Sequence, residues 1–314
     1  MAEKIVCVVG PTACGKTRFG VEIAKKFNGE VVSVDSMQIY RGMTVGTAAA
    51  TEKEMDGVPH HMIAVADPEE SWSVARFTRE ADRCIQDILA RGKLPVLVGG
   101  TGLYLDSLVR GNSFAAGDES TPIRKELEAR AAKEGIEGIL SDLAKVDPVS
   151  AAKLHPNDEK RIIRALEVYL HTGKTIHAHN EATRLLPNKY DAIYLGLAFR
   201  DREDMKALID RRVDEMVKEG LLEEVAALVA RGLPPTSTAL QAIGFKEFLG
   251  VYTGEKTEEE AIEEVKLRSR QYAKRQLTWL RKNEAIHWFY WEKERNFALA
   301  LQNATKILTA AGLS

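Results

Sequence analysis

The chain has 314 residues, 45% of them hydrophobic and 29% charged, with a formal net charge of −2. That length and composition give one large or two modest folded domains and exclude a disordered chain. The near-zero charge excludes a global pull toward nucleic acid, so any such pull is local. No apolar run approaches membrane-spanning length, and a strand expected almost at Met1 leaves no room for a signal peptide. Cys7, Cys14 and Cys84 stand at no disulfide or metal-ligand spacing, which fits a reducing cytoplasm.

The first predicted element is the apolar strand Ile5-Val6-Cys7-Val8-Val9. Gly10, Pro11, Thr12, Ala13, Cys14, Gly15, Lys16 and Thr17 follow it, and a helix is expected over 16–28. This is the G-x-x-x-x-G-K-[ST] phosphate loop in its confirming context of strand before and helix after. Backbone N–H groups of such a loop converge on one anion at a helix N-terminus. Lys16 adds a point charge, and the Thr17 hydroxyl is the candidate Mg²⁺ ligand. Linked phosphates with Mg²⁺ are therefore expected. Cys14 sits inside the loop, where a small-residue role is favoured over a reactive thiol.

A second strand covers Glu30–Val34 and ends in Asp35, Ser36, Met37 and Gln38. Asp35 has two functional readings, a metal-binding carboxylate or a proton acceptor, beside a capping role for the following turn. The adjacent His60 and His61 face apart and lack further ligands, so a structural role is expected. A short strand is expected at 62–66, a helix over 74–90 and a third strand over 94–98. That strand ends in Gly99 rather than Asp, so an ordinary Walker B carboxylate is missing. Gly99-Gly100-Thr101-Gly102 forms a second glycine-rich turn into a helix. Alternating strands and helices imply right-handed βαβ units, a parallel sheet and ligands at the carboxyl ends of the strands.

The pattern changes near Gly111. Residues 111–122 read as a linker, and from Thr121 to about Lys174 the chain is helical and charged, with interruptions at Gly135 and Asp147-Pro148. Lys160, Arg161 and Arg164 form a basic cluster there. Residues 190–199 return as a strand, helices run to about Ala285, Ile286–Trp291 is a last strand and a helix closes the chain. The expected fold is α/β: a P-loop NTPase-like parallel sheet flanked by helices, formed by 1–113 and 190–314, with an inserted all-helical lobe at 114–189. Between Lys266 and Lys282 there are seven cations and no acid. At helical spacing they take one broad face, opposite Val265, Tyr272, Ala273, Trp279 and Leu280. A cationic face without carboxylates suggests a polyanion.

The chain resembles the tRNA dimethylallyltransferases (tRNA isopentenyltransferases) of bacterial type along nearly its whole length. The likeness rests on the phosphate loop at 10–17, Ser-Val-Asp-Ser-Met-Gln-Ile-Tyr-Arg-Gly-Met at 33–43, Val-Pro-His-His-Met at 58–62 and Gly-Gly-Thr-Gly-Leu-Tyr at 99–104. It continues with His-Pro-Asn-Asp-Glu-Lys-Arg-Ile-Ile-Arg-Ala-Leu-Glu at 155–167, Ala-Ile-Gly-Phe-Lys-Glu at 242–247 and Lys-Arg-Gln-Leu-Thr-Trp-Leu-Arg at 274–281. Cys14 replaces the family's common Ser, and Gln241 and Phe245 stand where Arg and Tyr are frequent.

The resemblance implies transfer of the dimethylallyl group from dimethylallyl diphosphate to N6 of the adenosine at position 37 of tRNA, with Asp35 taking the amine proton and Lys16 and Mg²⁺ meeting the leaving diphosphate. It places Thr101 near the reacting amine and makes Arg212 a further diphosphate clamp. Ser36 and Gln38, with Met37, would read the adenine, which must leave the anticodon stack. Arg124, Lys160, Arg161, Ile162, Ile163 and Arg164 would grip the anticodon stem-loop. So would Gln241, Ala242, Ile243, Gly244, Phe245 and Lys246, together with Lys274, Arg275, Gln276, Leu277, Thr278, Trp279, Leu280 and Arg281. A cytoplasmic monomer without membrane contact is expected. The competing readings are a small-molecule kinase with a lid at Asp210-Arg211-Arg212, a non-catalytic RNA-binding ATPase, and an isopentenyltransferase acting on free adenylate. The basic C-terminal helix disfavours the first and the last.

Overall fold

The computed structural model describes residues 2–112 and 121–314. The expected linker at 111–122 and the expected domain boundary at 113/114 fall largely on residues 113–120, outside the described residues. Packing divides the chain into two compact units, one of residues 1–72, 77–109 and 190–314, the other of residues 73–76 and 110–189.

The first unit is built on β1 (Glu3–Val9), α1 (Lys16–Lys26), β2 (Gly29–Val34), α2 (Glu52–Met55), β3 (His60–His61), most of α3 (Val74–Ala90), β4 (Leu94–Gly99) and α4 (Gly102–Arg110). The second contains α5 (Pro122–Glu134), α6 (Glu137–Val146), α7 (Pro148–Ala151), α8 (Glu159–Thr172) and α9 (Ile176–Arg184). The chain re-enters the first unit through β5 (Tyr190–Phe199), α10 (Arg202–Lys218), α11 (Leu221–Ala230), α12 (Phe245–Tyr252), α13 (Glu258–Leu280), β6 (Ile286–Trp291) and α14 (Phe297–Ala310).

Among the described residues the six strands form one parallel sheet in the order β3-β2-β4-β1-β5-β6. Both faces are covered, so β1 is apolar at every position from Val6 to Val9 and alternates only in which layer it feeds. Ile5, Cys7 and Val9 belong to one buried cluster together with Phe77, Ile85, Leu105, Phe245 and Phe248. Val6 and Val8 belong to a second cluster, with Phe19, Ile23, Ala304 and Leu308. Each such large side chain contributes about 1.5–3 kcal/mol by leaving water.

Register is what aligns the functional segments. Val9 pairs with Gly99, and Gly99 pairs with Val34. The residues that follow, Gly10, Gly100 and Asp35, therefore stand along one carboxyl edge of three neighbouring strands. Gly99 is forced by that closeness: a Cβ there would lie 2.1 Å from the Val34 carbonyl oxygen.

The strand expected at 62–66 does not form. Met62 and Ala64 take left-handed φ values of 62° and 51°, which breaks an extended backbone, and only Ala66 bridges, to Tyr40. The short edge strand is instead His60–His61, fastened where His61 Nε2 meets Glu30 Oε2 at 2.8 Å. Both histidines are structural, as the sequence suggests.

The second unit has its own core of Leu127, Ala131, Ile139, Leu143, Ile162, Ile163 and Leu166. Thr121 caps α5 by accepting the Arg124 N–H. Glu167, fully buried, accepts Thr121 Oγ1–H at 2.6 Å, Arg124 Nη2–H at 2.7 Å and Arg164 Nη1–H at 2.9 Å, which ties α5 to α8. Among the described residues no helix is long and apolar enough to cross a membrane.

Candidate functional site

A cavity of about 610 Å³ opens at the carboxyl edge of the sheet in the first unit. The phosphate loop forms one wall, with Thr12, Ala13, Gly15, Lys16 and Thr17 facing it, and Asp35, Ser36, Met37 and Gln38 form another. The loop's shape has steric causes. A Cβ on Gly10 would meet the Leu197 carbonyl oxygen at 2.4 Å and Cys14 Sγ at 2.7 Å, and Gly15 takes φ 91° with Phe297 against it. No side chain caps α1 at Gly15, which leaves its first N–H groups to an anion. Lys16 Nζ donates to the Pro11 carbonyl at 2.6 Å. Cys14 is wholly buried behind the loop, its thiol pushed up by burial against the pull of Lys16, so it is a packing residue rather than a nucleophile.

Asp35 serves two ends at once. Its Oδ1 accepts the Met37 N–H at 2.9 Å and the Gln38 N–H at 3.4 Å, which fixes the turn after β2. No bond to Oδ2 appears among the described residues. Burial raises its pKa, opposed first by those two amides and then by the charge of Lys16. The carboxylate is thus made more basic than usual while facing the same cavity as Lys16.

Gln38 is less free than its position suggests. Its Oε1 accepts Ser33 Oγ–H at 2.7 Å, and its Nε2 donates to the carbonyls of Thr47 and Ala48 at 3.2 Å each. The loop it holds is gripped from outside as well. The N–H groups of Thr44, Val45 and Gly46 all donate to the Glu224 carboxylate, at 2.8, 2.8 and 3.0 Å.

Thr101 lies behind the wall. Its hydroxyl is buried beside the Tyr272 phenol. The neighbouring Tyr272 phenol lines the cavity, with a pKa pushed up to about 12 by burial and by the charge of Asp35, while Thr101 pulls it down.

Arg212 of α10 faces the cavity, and burial lowers its pKa. No ion pair to it appears among the described residues. Arg295, before α14, is a second such guanidinium, lowered by burial and by the nearby charges of Arg211 and Arg18. A half-buried Arg212 and an exposed Arg295, neither with a carboxylate partner among the described residues, stand beside the phosphate loop and describe a site for an anion of several charges. Sequence reasoning finds Arg212 as a diphosphate clamp through the family likeness, having otherwise placed it in the lid of the competing kinase reading, and misses Arg295, which carries no local motif.

The positions expected to touch RNA divide sharply. Gln241, Ala242, Ile243 and Gly244 border the cavity, as do Arg275 and Gln276. Lys246, Lys274, Thr278, Trp279 and Arg281 are exposed, and Leu277 is half-buried. Ile162 and Ile163 belong to the helical core, while Phe245 and Leu280 belong to the sheet unit's core. Apolar packing claims these four, so they are corrected from contact to core positions. Arg124 and Arg164 are spent on Glu167, which leaves Lys160 and Arg161 as the exposed cations of that segment.

The basic face of α13 also needs correction. Lys266 pairs with Asp214 at 2.8 Å and with Glu263, Arg268 with Glu264, and Arg270 with Asp210. The acids come from α10 and from the helix's own earlier turns. Lys274, Arg275, Arg281 and Lys282 have no acidic partner among the described residues. Arg275 lies 5.8 Å from the Tyr272 ring and Lys282 5.5 Å from the Trp279 ring.

The family profile described as IPP transferase matches residues 38–283, and one described as isopentenyl transferase matches residues 3–65. A tRNA dimethylallyltransferase from Thermoanaerobacter sp. (strain X514) is 45% identical over 309 residues, 98% of each chain. One from Halalkalibacterium halodurans is 47% identical over 291 residues, 92% of this chain and 91% of its own. The crystal structure of a full-length tRNA isopentenylpyrophosphate transferase from Bacillus halodurans superposes with a TM-score of 0.72 at 43% identity, over 98% of this chain and 96% of that one. A eukaryotic dimethylallyltransferase, captured in crystallographic snapshots acting on tRNA, superposes with a TM-score of 0.82 at 31% identity, over 98% of this chain and 78% of its own.

Proposed function

The chain belongs to the IPP transferase family and transfers a dimethylallyl group to tRNA, and from that premise we propose that the acceptor is N6 of the adenosine at position 37, beside the anticodon. The observation that carries this reading is that Asp35 and the phosphate loop line one cavity. The carbon–oxygen bond of dimethylallyl diphosphate breaks, a bond from adenine N6 to the same carbon forms, and the N6 proton passes to Asp35. N6 is a weak nucleophile because its lone pair is delocalised into the ring, so proton removal as the bond forms lowers the barrier. Burial supports Asp35 in that role by raising its basicity.

The leaving diphosphate is received by loop amides, Lys16, Arg212 and Arg295, whose fixed charges meet the charge that develops on it. Mg²⁺ is proposed at the Thr17 hydroxyl. Among the described residues no cluster of three His, Cys, Asp or Glu side chains suits a metal, so the ion would draw most of its oxygens from diphosphate and water. Magnesium favours that arrangement, and bound there it would neutralise charge on the leaving group. Ser36 and Met37 border the space for the adenine, and Thr101 and Tyr272 stand beside it. Lys274, Arg275 and Arg281, with Lys160 and Arg161 of the helical unit, are the proposed phosphate contacts of the stem-loop. A cytoplasmic monomer is proposed as part of this reading.

The test is incubation with dimethylallyl diphosphate, Mg²⁺ and unmodified tRNA, followed by nucleoside digestion and mass spectrometry. The expected product is adenosine carrying one dimethylallyl group in place of one hydrogen. A gain on any other nucleoside, or a phosphorylated product, overturns the proposal.

A further inference from the structure

Gln276 stands among the positions expected to touch RNA, yet only 5% of it is exposed. Its side chain spans the two glycine-rich turns. Its Oε1 accepts the Thr12 N–H at 2.9 Å, and its Nε2 donates to the Gly100 carbonyl at 3.1 Å. The fit is close from the other side too, since a Cβ on Gly100 would lie 2.2 Å from Gln276 Nε2. One turn earlier on α13, Tyr272 reaches the cavity beside Thr101. The reaction described above makes no use of the Gln276 amide.

We propose that Gln276 is a positioning residue for the diphosphate grip, a claim that rests on the transfer reading above. It acts through two backbone groups. By taking the Thr12 N–H it holds the peptide at the entrance of the phosphate loop, so the amides from Ala13 onward keep their aim on one anion. By holding the Gly100 carbonyl it sets the gap between that loop and the turn that carries Thr101. Backbone amides stabilise a developing anion only while their direction is fixed beforehand, and misplacement of about 1 Å costs up to a hundredfold in rate. A side chain with both a donor and an acceptor is required, because Thr12 offers N–H and Gly100 offers C=O.

The experiment compares wild type with Gln276→Met, similar in volume but unable to bridge, and Gln276→Asn, polar but one methylene too short to span both groups. Pyrophosphate affinity is measured by calorimetry with Mg²⁺, and KM for dimethylallyl diphosphate and kcat are measured at saturating tRNA. Thermal melting and tRNA affinity complete the set. Both variants should weaken pyrophosphate binding and raise KM about tenfold, with tRNA affinity within about twofold of wild type. A folded variant whose melting temperature falls while pyrophosphate affinity and KM stay within about twofold overturns the proposal, because a mere packing role predicts that pattern. If Gln276→Met does not fold, Gln276→Asn decides by the same readouts. Wild type that binds pyrophosphate but transfers nothing would sink the transfer reading, and the variants' pyrophosphate affinities would still decide on Gln276.

Discussion

A carboxylate that must take a proton from a weak acid works better where water solvates it poorly. Asp35 is placed that way, with burial raising its pKa and one oxygen committed to the turn amides. Two consequences follow from the sign of the shift. Activity should fall as pH drops through a value above the ordinary aspartate range, and a pH profile of kcat checks this. The same shift means that the folded state binds this proton more tightly than the unfolded state does. Its carboxylate therefore costs stability above the unfolded pKa. Asp35→Asn should lose at least about a hundredfold in turnover. Its melting temperature at neutral pH should be equal or higher, and its tRNA affinity nearly unchanged. At this scale the sequence was readable because a strand end and a motif name a place. Lys16, Thr17 and Asp35 could be read from local order alone. Arg295 and the bridging amide of Gln276 could not, because their partners are distant in the chain: Ala13 lies 282 positions from Arg295, and Gly100 and Thr12 lie 176 and 264 positions from Gln276.

Helix α13 shows what happens to a charge pattern once other elements pack against it. Its basic stretch contains no acid in sequence, yet Asp210 and Asp214 of α10 neutralise Arg270 and Lys266. Only the distal cations remain for phosphate. Replacing Lys274 and Arg275 by Gln should weaken tRNA binding and flatten the slope of log affinity against log salt by about one unit per lost contact. Replacing Lys266 and Arg270 should leave that slope unchanged. Fluorescence anisotropy across a salt series checks both. In the helical unit, Glu167→Gln should destabilise that unit by about 3 kcal/mol, because Arg124 and Arg164 lose their shared partner. Local hydrogen exchange reads the change. Strands with long apolar runs were legible to the residue, as at 190–199 and 286–291. The edge strand was displaced from its expected place because it is held by His61 and Glu30 and by left-handed backbone, not by apolar periodicity.

For the sheet unit as a whole, acid stability is set in part by Glu30. Arg91 hydrogen bonds hold its pKa well below the usual carboxylate range, against burial and with help from Lys93 and His61. Its contribution is complete above the unfolded glutamate pKa and is lost as pH falls toward the depressed folded value. Glu30→Gln should remove about 2 kcal/mol at neutral pH and progressively less in acid, measured by urea denaturation at several pH values. The parallel α/β class was readable from alternating elements. The cavity was not, since its wall is gathered from residues between Thr12 and Phe297.

The pairing of β1 with β5 has a consequence for how the chain is made. On the ribosome, the phosphate loop emerges long before residues 190–199, and its strand stays half-paired until they have been synthesised. The intervening helices have nearly all their partners within one continuous stretch and can fold as soon as they leave the exit tunnel. The nascent enzyme thus carries its helical unit ready-made while β1 waits, and slowing translation just before Tyr190 should prolong that wait and expose β1 to chaperones.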